Sequence, residues 1–257
     1  LPVITDVEEA IKPEAWPIHE GGNIVGTSRA EAGNVDEAFQ ECDYVFEDRY
    51  TTQAIHHAAI EPHVAIADFA PNGKLTVYSP CQNTFAFRVI MSRIFGLSYN
   101  RIRMVAPAIG GAFGGKLEVT VEPVAAVLSQ MTGKPVKVEY NRKESILSTR
   151  VRHASVNYVK TGFMKDGTLK AVDFKVYTNT GAYASSALNV SGAMSHKVFK
   201  AYKIDHMRFQ CQPVYTNTEI AGAMRGYGSP QVYFGWQRQM QKIADFLHMD
   251  MAALQMK

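Results

Sequence analysis

Residues 110–116 read Gly-Gly-Ala-Phe-Gly-Gly-Lys, with four glycines in six positions. So little side chain lets the backbone take positive φ and approach a neighbour closely. An apolar, β-like run from Ile102 to Pro107 precedes the stretch, and an amphipathic pattern from Val121 to Met131 follows it. Strand, glycine loop and helix in that order can present backbone N–H groups to an anion at a helix N-terminus. The expected ligand is a phosphate or a metal-oxo group. The bland alternative is a tight turn that binds nothing.

Neither common glycine fingerprint is satisfied. Gly110, Gly115 and Lys116 fit the P-loop pattern, but Leu117 stands where the magnesium-binding hydroxyl belongs. The dinucleotide pattern G-x-G-x-x-G fails because Ala112 occupies its second glycine. A nucleotide-binding module built on residues 110–116 is thus a rival reading, and a non-catalytic interaction domain is another.

The 257 residues suffice for one large domain or two small ones. The net charge of +3 is too small to argue for nucleic acid or a membrane surface as a partner. No apolar run approaches the ~18 residues of a spanning helix. Asp6, Glu8 and Glu9 stand where a signal peptide would need an apolar core. Cys42, Cys81 and Cys211 are scattered and form no C-x-x-C, which points to a reducing, cytoplasmic compartment. The same scatter argues against a structural zinc or an iron–sulfur cluster held by this segment. A start at Leu1 and an end at Met256-Lys257, straight after a helical pattern, read as a piece of a longer protein.

Residues 1–34 read as the tail of a preceding domain and a linker, broken by Pro2, Pro13, Pro17 and Gly21-Gly22. Residues 35–257 read as one folded region. Asn34 caps a short helix to Cys42, and residues 43–54 suggest a strand. Two runs around Pro71-Asn72-Gly73 make a hairpin, and residues 83–95 make a helix closed by Gly96. A strand at 136–140 follows the helix after the glycine loop. Two β-rich runs around Asp166-Gly167 make a strong hairpin. Residues 181–199 give no clear pattern, residues 205–214 suggest a strand, and residues 230–247 read as a long helix with Pro230 near its start. Helices intermixed with antiparallel hairpins predict an α+β fold with mixed sheets and packed helices.

Three loops share one character: Ser79–Thr84, the glycine loop, and Ala223–Gly228. Each offers backbone donors and one or two polar side chains. On these motifs the chain resembles the molybdopterin-binding part of the xanthine dehydrogenase and aldehyde oxidoreductase family, the molybdenum hydroxylases. The carrying residues are Gln82-Asn83-Thr84, the stretch 110–116, and Arg225-Gly226-Tyr227-Gly228-Ser229-Pro230-Gln231. The segment His57-Ala58-Ala59-Ile60-Glu61-Pro62 and the pair Arg152-His153 share the likeness, which runs from about residue 35 to the end.

The resemblance implies a molybdopterin cofactor carrying molybdenum, and hydroxylation of a carbon of a heterocycle or an aldehyde with oxygen from water. It implies that iron–sulfur clusters and FAD lie on other domains or subunits, and that a remaining molybdopterin-binding half completes the site. A glutamate that serves as base would lie in that half, leaving the isolated segment inactive, with uncovered apolar surface open to self-association into a homo-oligomer. By resemblance, Gln82 hydrogen-bonds a molybdenum oxygen ligand, the Phe113 N–H points at the apical oxo group, and Arg225 stands beside the metal and cofactor. Gly110, Gly111, Ala112, Gly114 and Gly115 hold the cofactor. Tyr227 takes the place of an aromatic residue against the substrate ring.

Two departures bear on the substrate. Animal-type xanthine oxidases carry a glutamate directly after the loop lysine, whereas this chain has Leu117 there and Glu118 one place later. They also carry a purine-binding arginine shortly before the Tyr202-Lys203-Ile204 segment, where an ungapped match puts Ala193. Both polar purine contacts are thus unaccounted for. His56, His57 and His63 lack helical i, i+4 spacing and are expected to pack and hydrogen-bond rather than ligate a metal.

Overall fold

The computed structural model describes residues 2–200 and 202–257. The chain divides into two compact units, one of residues up to Ile55, Arg152–Gly222 and Gly226 onward, the other of His56–Val151 with Ala223–Arg225.

The first unit is built on a five-stranded sheet in the order Ser28–Ala32, His206–Tyr215, Leu169–Gly181, Ser155–Phe163, Tyr44–Thr52. All neighbours are antiparallel except His206–Tyr215 and Leu169–Gly181, which run parallel. The hairpin around Asp166-Gly167 forms as the sequence predicts. Tyr44–Thr52 alternates strictly between half-buried and exposed positions, the period-2 signature of a strand with one covered face. That face is covered by the helix Ser229–Phe246, which turns Val232, Trp236, Met240 and Ile243 inward at helical spacing. Trp236 stacks on Phe174 with ring centroids 6.4 Å apart, and Phe163 and Phe209 fill the same core. Across this packing Tyr50 donates its hydroxyl to Gln239 Oε1 at 2.7 Å.

Two parts of this unit go beyond the sequence reading. Inside the stretch read as a linker, Val7–Ala10 is a helical turn capped by Asp6, and Ser28–Ala32 is the sheet's edge strand. Only its partner, His206–Tyr215, supplies the ladder that makes those five residues a strand. Residues 181–199 contain the helix Ala187–Ser195, which buries Ala187, Val190, Ser191 and Met194 and packs against that partner strand and the edge strand. A groove of about 580 Å³ on this unit's sheet is lined by Glu8, Lys12, Tyr158, Lys160, Lys175 and Tyr177 among others, and by none of the motif residues.

The second unit has a four-stranded sheet in the order Ile102–Val105, Leu75–Tyr78, Val64–Phe69, Val136–Glu139. The first pair is parallel and the rest antiparallel. The hairpin at Pro71-Asn72-Gly73 and the helices Thr84–Phe95 and Glu122–Thr132 lie where the sequence puts them. Met91, Ala125 and Ala126 pack on Ala65, Ala67, Leu75, Val77 and Ile102 to form the core. One helix was missed. Arg142–Ser148 is closed at its start by a reciprocal capping box between Asn141 and Glu144, whose Asn-x-x-Glu spacing is visible in the sequence. The observed class is α+β with mixed sheets, as predicted.

Candidate functional site

Within the second unit, Gln82, the glycine loop and Ala223–Arg225 are joined by hydrogen bonds. Gln82 is held twice by the glycine loop. Its backbone N–H donates to the Lys116 carbonyl at 2.9 Å, and its side-chain Oε1 accepts from the Gly114 N–H at 2.9 Å. A backbone N–H can only donate, so the amide oxygen must face Gly114 and the Gln82 NH2 must point away from that bond. Gln82 is itself exposed.

The third loop joins on the other side of the glycines. The Arg225 N–H donates to the Phe113 carbonyl at 2.8 Å. Phe113 has φ +54° and Gly114 has φ +105°. A side chain at 114 would put a Cβ 2.4 Å from the Ala223 carbonyl oxygen and 2.9 Å from the Met224 Cα. This position therefore has to be glycine for two separate reasons, its backbone angle and the closeness of the neighbouring chain. Arg225 is exposed, and the Phe113 ring is about half exposed at 49%. The ring is thus not a core plug.

The far side of the loop rests on residues 57–63, and the histidines of this segment hydrogen-bond as the sequence predicts. Glu61 and Gly110 exchange backbone and side-chain bonds: Glu61 N–H donates to the Gly110 carbonyl, and Gly110 N–H donates to Glu61 Oε2, both at 3.0 Å. The Lys116 ammonium, 3% exposed, lies 2.5 Å from the same Glu61 oxygen. Burial pushes the Glu61 carboxyl up, but Lys116 and the Gly110 N–H outweigh it and hold the group below the usual carboxylate range. His63 Nε2 donates to the Gly115 carbonyl at 3.0 Å, and His57 Nε2 donates to the Ala223 carbonyl at 2.7 Å. His56 accepts from the Ala58 N–H at Nδ1, so its Nε2 donates to Thr149 Oγ1 at 2.9 Å. Burial pushes His63 down and keeps it neutral near pH 7. The three rings thus act as braces for neighbouring backbone and hydroxyl groups.

Two expectations are corrected here. The glycine loop does not run into a helix N-terminus. Residues 117–121 intervene, and the helix beginning at Glu122 is closed by its own side chain. The buried Glu122 carboxylate accepts from Thr120 N–H at 2.7 Å and from Ser79 Oγ at 2.6 Å. A carboxylate there repels an anion, so the donors on offer are those of the loop itself. The nucleotide-binding reading also fails, because its lysine is buried against Glu61 rather than held over a phosphate.

Gly111, Ala112 and Gly115 lie within the same turns. Gly115 stands against the His57 ring, where a Cβ would be 3.0 Å from Cγ. Leu117 is half-buried and closes the last turn by donating its N–H to the Gly114 carbonyl at 3.2 Å. Glu118 accepts from Arg150 Nε at 3.3 Å. Tyr227 belongs to the first unit, at φ +44°, with Lys197 Nζ 5.9 Å from its ring centre and donating to its carbonyl at 3.3 Å. Among the described residues no three His, Cys, Asp or Glu side chains gather into a metal-ligand set. Among them also, no helix is long and apolar enough to cross a membrane.

Comparison with known proteins agrees with the motifs. Over 258 residues the chain is 35% identical to the xanthine dehydrogenase molybdenum-binding subunit of Escherichia coli O157:H7, covering all of this chain and 34% of that protein. It is 36% identical to the nicotinate dehydrogenase large molybdopterin subunit of Eubacterium barkeri, over 96% of this chain and 58% of that one. The aldehyde oxidoreductase structure from Desulfovibrio gigas superposes with a TM-score of 0.89 at 28% identity, covering 99% of this chain and 28% of that one. The chain spans about a third of the length of the first of these relatives. The molybdopterin cofactor-binding domain family matches residues 18–257. By sequence, fold and loop geometry together, the chain belongs to the molybdopterin cofactor-binding domains of the xanthine dehydrogenase and aldehyde oxidoreductase family.

Proposed function

We propose that the chain is the cofactor-cradling part of a larger molybdenum hydroxylase, and that Gln82, Phe113 and Arg225 face the molybdenum end of the cofactor. One observation carries this reading: a single unit joins Gln82 to Gly114 through its side-chain oxygen and Arg225 to Phe113 through a main-chain hydrogen bond. The donor set fits the group. The Gln82 NH2 and the exposed Arg225 guanidinium offer N–H donors suited to oxo and phosphate oxygens. The Glu61 carboxylate nearby is neutralised by Lys116. At Gly114 the loop lies closer to Ala223 than any side chain would allow.

When bound, the cofactor supplies two-electron redox chemistry, by which a substrate C–H becomes C–OH with oxygen from water and two protons and two electrons leave. The chain's own residues do placement and electrostatics. Gln82, with its oxygen engaged by Gly114, can only donate toward an oxygen of the group and adds no charge. Arg225 adds a fixed positive charge to hold an anion. Gly110, Gly111, Gly114 and Gly115 let the loop pack closely on Glu61, Ala59, Ala223 and His57, and by resemblance the Tyr227 ring suits a flat substrate.

In this reading a remaining cofactor-binding half and iron–sulfur and flavin domains or subunits complete the enzyme. The substrate is a heterocycle or an aldehyde. Leu117 offers no carboxylate to a purine, and Glu118 spends its own on Arg150, so xanthine itself is disfavoured. The test is to purify the complete protein and the 257-residue chain separately, measure molybdenum, and assay hydroxylation of purines, aldehydes and nicotinate with an artificial acceptor. The complete protein should carry molybdenum and turn over at least one class, and the chain alone should do neither. Stoichiometric molybdenum on the chain alone, or none on the complete protein, would overturn the reading.

A further inference from the structure

The glycine loop is tied at both ends to one side chain. At its start, Gly110 N–H donates to Glu61 Oε2, and a Cβ on Gly110 would lie 2.6 Å from the Glu61 Cβ. At its end, Lys116 Nζ meets the same oxygen at 2.5 Å. Residues 111–115 span the gap and carry the two bonds that join the motif loops, Gly114 to Gln82 and Phe113 to Arg225. Glu61 itself touches neither of those bonds.

We propose that Glu61 is a positioning residue: by clamping Gly110 and Lys116 it sets the loop conformation in which Gly114 meets Gln82 and Phe113 meets Arg225. The proposal rests on the reading of that loop as the cofactor cradle. The physical ground is that a glycine-rich segment has little conformational preference of its own and must be fixed from outside. An isolated buried ammonium is costly, so Lys116 holds its place only while Glu61 answers it. The half-exposed Glu61 can keep its charge in water, whereas Lys116 cannot, so Glu61 is the anchor and Lys116 the anchored group. His63 on Gly115 adds a third point from the same segment.

Amide hydrogen exchange on the 257-residue chain tests this without any cofactor. Gly110 trivially loses its acceptor in Glu61→Ala, so the deciding amides are Gly114 and Arg225, whose acceptors are Gln82 and Phe113. In Glu61→Ala both should exchange about 100-fold faster, while amides of Leu75–Tyr78 and Ser155–Phe163 keep their protection. Glu61→Gln still accepts from Gly110 but leaves the Lys116 charge unanswered, so both amides should exchange faster than in wild type and slower than in Glu61→Ala. A Gly114 amide unchanged in Glu61→Ala would overturn the proposal, as would a loss of protection equal in the loop and in Leu75–Tyr78. If Glu61→Ala does not fold, Glu61→Ala combined with Lys116→Met strands no charge and must show the same acceleration; wild-type protection there overturns the proposal. Molybdenum content of the complete wild-type protein is read separately. A loosened loop beside a molybdenum-free wild type keeps the clamp and removes the cofactor reading. A loaded wild type with an unmoved Gly114 amide in Glu61→Ala does the reverse.

Discussion

Gly114 stands so close to Ala223 that a Cβ at 114 would lie 2.4 Å from the Ala223 carbonyl oxygen. Two motif loops separated by more than a hundred residues in the chain therefore share a contact that only glycine permits. Gly114→Ala should lower the unfolding free energy by about 1–3 kcal/mol through its φ of +105° alone, and by more if the loops must part. Urea denaturation checks this, with Gly133→Ala, where a Cβ meets nothing within 4 Å, as the control for backbone strain without the contact.

Gln82 uses its oxygen on Gly114, which makes two substitutions informative. Gln82→Glu keeps an acceptor for the Gly114 N–H but loses the NH2 donor and adds charge. Its thermal midpoint should stay near wild type while kcat of the complete protein falls about 100-fold, the usual cost of losing one well-placed donor. Gln82→Ala should lose both the loop bond and turnover. Equal kcat in Gln82→Glu and wild type would remove Gln82 from the site.

Arg225 combines an exposed side chain with a backbone fixed on Phe113. Arg225→Ala keeps the backbone bond and removes the side chain beyond Cβ, the guanidinium included. The complete protein should then hold molybdenum about tenfold less well or turn over about tenfold more slowly, the scale of one charge-assisted hydrogen bond. Unchanged metal content together with unchanged kcat would count decisively against the assignment.

In the first unit, burial pushes His153 from 6.5 down to about 4, against the opposing pull of the Gly222 backbone. Between those values the unfolded chain binds the proton and the folded chain does not. The stabilisation is therefore full above about pH 6.5 and is lost as pH falls toward 4, amounting to about 3 kcal/mol. Urea midpoints at pH 7 and 4.5 should diverge more in wild type than in His153→Gln; equal divergence would show that another group governs acid unfolding.

Local signals made most of the elements legible in the sequence. Asn83 and Gly96 bracket one helix, and Asp166-Gly167 fixes one hairpin, because caps and turns act within a few residues. The family, too, was legible from three short motifs. Ser28–Ala32 was not, since a five-residue edge strand exists only through its partner ladder, and Ala187–Ser195 was not, since its small residues carry no strong period. At the candidate site, sequence alone determined that residues 110–116 must be short of side chain and that Gln82 and Arg225 belong with them. Only the tertiary structure decided what those glycines are for. It laid Gly114 on Ala223, paired Lys116 with Glu61 instead of a phosphate, and brought Ser79 onto the Glu122 carboxylate at the start of the following helix. Each is a contact between residues distant in the chain or a choice among acceptors, and such choices depend on burial and distance that no local pattern encodes.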